Sequence, residues 1–378
     1  MPSALPRPAV QTVGDNPVRL WGLLPAERHR RIAAQSGMDG SGATGLLLVN
    51  ADFAFDPEWL RHVADRPGMV VTSRGSPVLA HARNDREIAD VTSAMEGGGS
   101  SFDAGTMDLV AIESGPTIEN KKLRKRETPF LMRLVPRNLR AIERASYFGA
   151  YKGVTDILTK YLWPEWALVL TRIAARIGMT PNMVTAIGAA LCLAATFAFA
   201  HGHYWPGMAM GLGFMVLDTV DGKLARCTIT SSWWGNVFDH GIDLVHPPFW
   251  WWFWATGLVH WGLGLSEGVF AATMGAIVAG YVLQRLVEGA FIKRFDGLEI
   301  HSWRRFDSRF RLFTARRNPN MVILFVSLVF ARPDIGIVAV AIWTLVCLAV
   351  HVVQLFQAIA RARGGGEIRS WMAMEQAQ

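Results

Sequence analysis

The stretch LDTVDGKLARCTITSSWWGNVFDHGID, residues 217–243, places four aspartates among segments that otherwise have the composition of membrane helices. These are Asp218, Asp221, Asp239 and Asp243. Carboxylates inside or at the edge of a bilayer are costly unless they line a cavity or bind something. The stretch therefore raises two questions about the chain: how it crosses a membrane, and what its carboxylates bind.

Several apolar segments contain or follow this stretch. A transmembrane helix needs about 20 mostly apolar residues. Six segments approach that length: 183–201, 205–226, 233–261, 268–292, 318–332 and 335–360. The predicted fold class is therefore an α-helical integral membrane protein, with a six-helix membrane domain at 180–362, a tail at 363–378 and a soluble N-terminal domain. Thr180 is predicted to cap the first of these helices, with Pro181 at its first position.

The basic residues between the segments indicate an orientation. Lys and Arg collect in the connection 293–317 and around 222–232, whereas the connections 202–204 and 262–267 carry none. Because such residues favour the cytoplasmic side, both termini are predicted to be cytoplasmic. The aspartates are predicted to lie near the cytoplasmic end, and the chain is predicted to be a multi-pass protein of the cell inner (plasma) membrane.

The N-terminal part alternates strand-like and helix-like segments. Over residues 1–118 the strand-like segments are VRLWG (18–22), LLLV (46–49), MVVT (69–72), VLAHA (78–82) and LVAI (109–112). This alternation predicts a parallel α/β sheet. The basic, periodic residues 119–179 are predicted to form a linker and an amphipathic helix at the membrane interface. The alternative is an ordinary amphipathic helix packed on the soluble domain.

Charge and cysteine content narrow the class of protein further. The net charge is +7, and juxtamembrane Lys and Arg would attract anionic lipid headgroups of the bilayer. The soluble half offers no basic face with stacking aromatic residues, so no nucleic-acid partner is predicted. The three cysteines, Cys192, Cys227 and Cys347, do not form a disulfide framework and are predicted to be small packing residues.

The spacing of the aspartates predicts two facing stripes. Residues three and four apart share a helix face, so Asp218 and Asp221 lie on one stripe, and Asp239 and Asp243 on a second. The connection between the two helices is short, so the stripes should face each other. Two divalent cations about 4 Å apart would relieve the repulsion, and an oxygen-only ligand set suits Mg²⁺ or Mn²⁺.

Small residues accompany the aspartates. Gly222, Ala225 and Gly235 leave room for a flat or extended ligand, and Arg226 offers a cation for a phosphate or a base edge. In the alternative interpretation the glycines let helices approach, and the aspartates pair with Arg226 and Lys223.

Further basic residues lie near the same end. Arg285, in the fourth segment, either binds a phosphate on a polar acceptor or forms a structural pair with Glu288 one turn away. Four others are predicted to be headgroup or orientation charges at the mouth of the bundle: Lys293, Arg294, Arg316 and Arg317.

The order and gaps of eight residues resemble the signature of the CDP-alcohol phosphotransferase family. They are Asp218, Asp221, Gly222, Ala225, Arg226, Gly235, Asp239 and Asp243. The resemblance extends over roughly residues 150–360, with six helices and a preceding interfacial helix. It implies an enzyme of phospholipid biosynthesis that cleaves the diphosphate of a CDP-alcohol, passes the phospho-alcohol to a hydroxyl and releases CMP. It also implies a homodimer.

The resemblance implies a role for each motif residue. Asp218, Asp221 and Asp239 would be ligands of two Mg²⁺ or Mn²⁺ ions. Asp243 would lie near the metals as the general base, and Asp239 and Asp243 would form the catalytic pair. The CDP moiety would lie along six positions: Asp218, Asp221, Gly222, Ala225, Arg226 and Gly235.

Some family members carry a fused nucleotidyltransferase-like domain, and residues 18–113 resemble a degenerate version of it. In LLLVNADFAFDPEWLRHV, Asp52 would be that domain's metal-binding acid. The glycine-rich loop expected after the first strand is replaced by LWGLLPAERHRR, which offers no run of backbone amides to cradle a triphosphate. The domain is therefore predicted to be non-catalytic, serving stability, dimer contacts or regulation.

The substrates remain open at the level of sequence. The favoured donor is CDP-diacylglycerol, with transfer of a phosphatidyl group to an acceptor hydroxyl. An alternative is a CDP-polyol or CDP-amino-alcohol donor with a lipid or polyol-phosphate acceptor. An alternative from another class is an intramembrane cation transporter, which would need polar residues through the outer half of the bundle, where PPFWWWFW (247–254) stands instead.

Overall fold

The computed structural model of the chain describes residues 7–38, 45–97, 105–120 and 123–374. The chain divides into two compact units. The first comprises Met1–Tyr151, Thr171–Met179 and Lys223–Ser231, and the second comprises Lys152–Leu170, Thr180–Gly222 and Ser232–Gln378.

The first unit is built around a five-stranded sheet. The described strands are β1 (Ala9–Val13), β2 (Leu46–Asn50), β3 (Phe53–Phe55), β4 (Met69–Ser73), β5 (Ser76–Ala82), β6 (Asp108–Ala111), β7 (Ile118–Asn120), β8 (Lys125–Glu127) and β9 (Leu131–Arg133). The five-stranded sheet has the order β1-β2-β5-β4-β6, while β3 pairs with β9 and β7 with β8. Four helices accompany them: α1 (Pro25–Gln35), α2 (Pro57–Ala64), α3 (Asp85–Glu96) and α4 (Leu139–Gly149).

The sheet is mixed, so the prediction of a parallel sheet is wrong. β1 and β2 are parallel, as are β4 and β6, but β5 is antiparallel to both of its neighbours. The reason is the turn Arg74-Gly75, where both residues have positive φ (49° and 79°). Such a two-residue turn joins antiparallel strands directly, whereas parallel strands need a long crossover.

One predicted strand is also misplaced. Residues 18–22 form no strand, because Trp21 and Gly22 both have positive φ (53° and 79°) and turn the chain. The edge strand is Ala9–Val13 instead. The remaining predicted strands appear within a few residues of their expected positions.

Side chains of β2 alternate between two hydrophobic clusters. Leu47 and Val49 pack in one cluster with Trp59 of α2. Leu48 packs in the other with Val91 of α3. Because successive residues of a strand point to opposite faces, the central strands of this sheet are buried on both sides.

The second unit is helical. Its helices, two of which extend into the first unit, are α5 (Pro164–Arg176), α6 (Pro181–Ala200), α7 (Tyr204–Cys227), α8 (Trp233–Gly257), α9 (Glu267–Arg294), α10 (Arg305–Phe310), α11 (Arg317–Val329), α12 (Pro333–Arg363) and α13 (Trp371–Met374). α6 packs on α8, and α12 packs on both α9 and α11. Thr180 caps α6 by accepting a hydrogen bond from the Met183 amide, as predicted.

Three of the helices in the described ranges are long and apolar enough to cross a membrane: α6, α9 and α12. The other three predicted spans correspond to α7, α8 and α11. α7 and α8 carry the aspartates, and α11 has 13 residues. Membrane crossing by these three remains a prediction.

Residues 119–179 hold more structure than the predicted linker and single helix. They contain β8, β9, α4, a π-helical turn at Leu158–Leu162 and α5. Apolar side chains on and after α5 are exposed, including Trp166, Val169, Ile173 and Ile177. That exposure is compatible with the predicted position at a membrane interface.

Candidate active site

The motif lies on α7, on α8 and on their short connection, residues 228–232. Ser232 caps α8 by accepting a hydrogen bond from the Gly235 amide at 3.0 Å. Between the first two aspartates, Thr219 Oγ1 accepts a hydrogen bond from the indole of the fully buried Trp163 at 3.1 Å. Ala225 and Arg226 lie near the end of α7, in the part that belongs to the first unit.

Asp218 on α7 and Asp243 on α8 are brought together by one arginine. Arg317, the first residue of α11, donates from Nη2 to Asp218 Oδ2 at 2.7 Å and from Nη1 to Asp243 Oδ1 at 2.6 Å. The exposed fraction is 19% for the Asp218 side chain, 42% for Asp243 and 10% for Arg317. The two predicted stripes therefore meet at these two carboxylates, with a guanidinium between them.

Asp221 has a different partner. The residue is 3% exposed, and its Oδ2 accepts a hydrogen bond from Thr185 Oγ1 of α6 at 2.6 Å. The Gly222 amide donates to its Oδ1. Asp239 lies on α8 four residues before Asp243, but its side chain is outside the described part of the chain.

Gly235 marks a close approach between helices. A Cβ at this position would lie 3.0 Å from Asn182 Oδ1 and 3.1 Å from Ser232 Oγ. Both contacts are tighter than ordinary van der Waals distance, so a larger residue would have to displace Asn182 or the cap of α8. The small residue here serves helix packing, whether or not it also leaves room for a ligand.

Lys223 and Arg285 have partners of their own. Lys223 Nζ donates to the Ala150 carbonyl oxygen at 2.9 Å and lies 3.0 Å from the Tyr151 ring centroid, all within the first unit. Arg285 Nη2 donates to Glu288 Oε1 at 2.9 Å. The structural pair is therefore formed, and the acceptor-binding role of Arg285 stays a prediction.

Glu288 is the centre of a second polar cluster. Arg316 Nη2 donates to its Oε2 at 2.7 Å, and His301 Nε2 lies 3.3 Å from its Oε1. Ligand atoms of Glu288, His301 and His351 all lie within 4.8 Å of one another. Two guanidinium groups already neutralise this carboxylate, so a divalent cation would meet repulsion there.

The aspartate cluster is the better match to a divalent metal. Its donors on α7 and α8 are carboxylate oxygens, which Mg²⁺ and Mn²⁺ prefer. By this donor chemistry Asp218 and Asp243 fit the implied ions, and a metal-binding role of the buried Asp221, which is hydrogen-bonded to Thr185, stays a prediction. Arg317 already bonds one oxygen of Asp218 and one of Asp243, so an ion that binds both would share these carboxylates with the guanidinium or displace it.

Sequence reasoning missed Arg317. It was predicted to be a headgroup or orientation charge, and that prediction is wrong because its side chain is buried between two aspartates. The available signal was its position at the start of a span, at the same end as the motif. Arg316, its neighbour, has the same signal but contacts Glu288, so position alone did not distinguish them.

Asp52 of the first unit is partly exposed. Its side chain is 51% exposed, accepts a hydrogen bond from Asn16 Nδ2 at 3.1 Å and lies 3.8 Å from Arg133. Asn16 turns its amide nitrogen and Arg133 its guanidinium towards Asp52, and neither of these groups is a metal ligand. The non-catalytic role of the first unit stays a prediction.

Comparison with known proteins agrees with the motif. The family model for CDP-alcohol phosphatidyltransferase matches residues 178–295. Cholinephosphotransferase 1 of Gallus gallus is 32% identical over 127 residues, which cover 31% of this chain and 36% of that protein. An uncharacterized CDP-alcohol phosphatidyltransferase class-I family protein of Schizosaccharomyces pombe is 32% identical over 107 residues, covering 25% and 28%.

These matches cover one part of the molecule. Cholinephosphotransferase 1 of Homo sapiens is 33% identical over 122 residues, which are 29% of each chain. The chain thus spans about a third of the length of the curated relatives it matches. The matched segment contains α6 to α9 and all eight motif residues. Residues 178–295 of this membrane protein belong to the CDP-alcohol phosphatidyltransferase family.

Proposed function

We propose that this chain is a divalent-metal-dependent CDP-alcohol phosphotransferase of phospholipid biosynthesis, of the EC 2.7.8 type. It would transfer a phospho-alcohol from a CDP-alcohol to an acceptor hydroxyl and release CMP. The observation that carries the proposal is the convergence of Asp218 and Asp243, from two helices, on one buried guanidinium. Carboxylates held this close indicate a site built for cations.

The exposure of the aspartates supports a division of roles. Asp243 is 42% exposed at its side chain and Asp218 is 19% exposed. A general base must reach the proton of an incoming hydroxyl, which favours Asp243. Asp218 and the buried Asp221 are suited to hold metal, together with Asp239.

The diphosphate and the acceptor are anchored by different groups in this proposal. Bound Mg²⁺ or Mn²⁺ would neutralise the diphosphate and the charge that develops on the leaving CMP. Arg226, with Gly222, Ala225 and Gly235, would contact the CDP moiety. Arg285 would contact a phosphate on the acceptor if it exchanges Glu288 for that ligand. A homodimer is part of the proposal through the family resemblance alone.

Two donor classes are open to test. The first is CDP-diacylglycerol, with a polar alcohol as acceptor. The second is CDP-choline or another CDP-amino-alcohol, with a lipid as acceptor. The second is favoured by the relatives in chicken and human, whose name, cholinephosphotransferase, describes transfer of phosphocholine. Arg285, the residue considered for a phosphorylated acceptor, is already hydrogen-bonded to Glu288.

The experiment measures CMP release by the purified full-length chain in detergent micelles or nanodiscs. Each donor is tested with Mn²⁺ or Mg²⁺ and with its class of acceptor: polar alcohols for CDP-diacylglycerol, and diacylglycerol for CDP-choline. Release that depends on acceptor is expected with one donor class. Asp243→Asn should lower kcat by at least about 100-fold, the typical contribution of a positioned general base.

Asp296→Asn makes the same chemical change at an exposed position after α9, and it should retain full activity. Absence of CMP release with every donor would refute the enzyme proposal. Flux of Mn²⁺ into sealed vesicles under those conditions would instead support the cation transporter.

A further inference from the structure

The guanidinium of Arg317 is held from several directions. Nη1 and Nη2 donate to Asp243 and Asp218, and Nε donates to Asn318 Oδ1 at 3.0 Å. Its Cζ lies 4.7 Å from the centroid of the Phe214 ring. A side chain with each nitrogen bonded to a different acceptor has a fixed plane, and that plane presents two parallel donors to two carboxylates.

A chain of hydrogen bonds through Asn318 fixes the orientation of the Arg317 guanidinium. Asn318 is 7% exposed, and its Nδ2 donates to Thr159 Oγ1 at 3.2 Å. Thr159 Oγ1 in turn donates to Asp156 Oδ2 at 2.8 Å, and the Thr159 amide donates to Asp156 Oδ1 at 3.0 Å. With its amide nitrogen committed to Thr159, Asn318 must present its oxygen to Arg317.

The charge at this point is already partly balanced. Asp218 and Asp243 contribute two negative charges and Arg317 one positive charge, and the side chains of Arg317, Asp218 and Asp243 are 10%, 19% and 42% exposed. A divalent cation that approaches the same carboxylates is repelled by the guanidinium, because like charges oppose each other most where little water screens them. A diphosphate that arrives with the cation offsets this repulsion and offers the guanidinium a new acceptor.

We propose that Arg317 competes with the metal ions for the aspartates. Its guanidinium holds Asp218 and Asp243 together until a nucleoside diphosphate binds. The competition makes metal binding weak without nucleotide and stronger with it, so that metal and CDP-alcohol bind as a coupled pair. This inference rests on the proposed function, because it takes Asp218 to be a metal ligand and Asp243 to lie beside the metals. In these terms Arg317 is a positioning residue that acts through Asp218 and Asp243.

The test measures Mn²⁺ affinity of the full-length protein directly, from the electron paramagnetic resonance signal of free Mn²⁺. Titrations are made without nucleotide and with CDP, after correction for Mn²⁺–CDP complexes in solution. Arg317→Gln should bind Mn²⁺ alone about tenfold more tightly than wild type, which corresponds to about 1.4 kcal/mol of relieved repulsion. The gain in Mn²⁺ affinity caused by CDP should shrink by a similar factor.

Arg316→Gln is the matched control, since it removes the same charge one residue earlier, where the side chain contacts Glu288. It should change Mn²⁺ affinity by less than about threefold, since a more distant and more screened charge repels the ion less. If both variants raised Mn²⁺ affinity equally, the loss of one positive charge from the protein would explain the result, and the specific role of Arg317 would be overturned. An Arg317→Gln protein that binds Mn²⁺ no more tightly than wild type would also overturn it.

Loss of Arg317 leaves two carboxylates facing each other, so the glutamine variant should melt at a lower temperature in EDTA and recover with Mn²⁺. If it does not fold at all, Arg317→Lys decides the question. Lysine keeps the charge but lacks the planar fork that bonds both carboxylates, so Mn²⁺ should bind several-fold more tightly than to wild type. Unchanged affinity in this variant would overturn the inference.

The two proposals can fail separately. Mn²⁺ binding can be measured without turnover. If Arg317 competes with Mn²⁺ but no donor releases CMP, the proposed reaction is refuted and this inference stands. CMP release by the wild-type protein, together with unaltered Mn²⁺ affinity in the Arg317 variants, would retain the reaction and remove the inference.

Discussion

Asp221 depends on a residue from a neighbouring helix. Thr185 of α6 donates to its Oδ2 at 2.6 Å in a buried position. A hydrogen bond that orients a metal-binding carboxylate typically contributes about 10–100-fold to metal affinity or activity. We expect Thr185→Val to raise the Mn²⁺ concentration needed for half-maximal CMP release by about that factor, and Thr185→Ser to restore it.

The control for this variant is on the same helix. Thr196→Val removes a hydroxyl that donates to the Cys192 carbonyl oxygen of its own helix at 2.8 Å, so the Mn²⁺ requirement should stay near the wild-type value. Similar effects of the two valine substitutions would show that Thr185 stabilises α6 generally and does not orient Asp221.

The candidate site was predictable where helix periodicity and chemistry act together. The three-residue and four-residue gaps placed Asp218 and Asp243 on facing stripes, and these two carboxylates do meet. Which cation lies between them was not predictable. Arg317 is 99 residues from Asp218 in sequence, and only the packing of α11 decides that it, and not Arg316, turns towards the aspartates.

The elements of the first unit were predictable when their signals were local. Asp56 caps α2 by accepting a hydrogen bond from the Glu58 amide at 3.0 Å, with Pro57 next to it. The direction of β5 depended on the turn Arg74-Gly75, and a single arginine with positive φ leaves little signal in sequence. Sheet direction was therefore mispredicted although the strand itself was found.

α1 contributes buried polar residues to the first unit, among them His29. This residue is 2% exposed, with Nδ1 3.0 Å from Thr12 Oγ1 and its ring stacked on Phe55 at 5.3 Å. Burial, together with the smaller effect of the nearby charge of Arg28, lowers the pKa of His29 to about 3. The folded protein thus keeps this imidazole neutral at pH values where the unfolded chain protonates it.

The sign of the pH dependence follows from that difference. Below a pH of about 6.5 the unfolded state binds a proton at His29 and the folded state does not, until the pH reaches about 3. Over this window the free energy of unfolding should fall by up to about 1.4 kcal/mol per pH unit. We expect the melting temperature of the wild-type chain to fall more steeply with acidification than that of His29→Gln, and parallel curves would contradict this assignment.

At the scale of the whole chain, the first unit includes the end of the motif helix. Arg28 and Arg31 of α1 donate to the carbonyl oxygens of Cys227 and Thr228 at 2.8 and 3.0 Å. Cations at a helix C-terminus satisfy its last carbonyl groups and oppose its dipole. These contacts join residues almost 200 positions apart in sequence, so no local pattern could predict them.

The orientation of the helices is the property on which substrate access depends. Basic residues lie in the connection after α9 and around the end of α7, whereas the connections 202–204 and 262–267 carry none and the connection after α11 carries only Arg332. This pattern predicts that successive connections lie on alternate sides of the membrane. Only three helices of the described chain meet the criteria of length and apolarity on their own, so crossing by α7, α8 and α11 needs a direct test.

Single cysteines in successive connections provide that test, because Cys192, Cys227 and Cys347 are all buried. The exposed positions to substitute are His203, Ser231, Ser266, Arg309 and Arg332. In intact cells, a membrane-impermeant maleimide should label the first, third and fifth variants. The second and fourth should react only after the membrane is permeabilised.

Each neighbouring pair of positions examines one helix: α7, α8, α9 and α11 in turn. Two successive positions that react from the same side would show that the helix between them does not cross the bilayer. For α7 that result would place Asp218 and Asp221 outside the hydrocarbon, where water solvates their carboxylates and burial in the membrane does not destabilise them. The motif would then need no membrane-embedded cations to explain it, so the labelling of His203→Cys and Ser231→Cys bears directly on the proposed site.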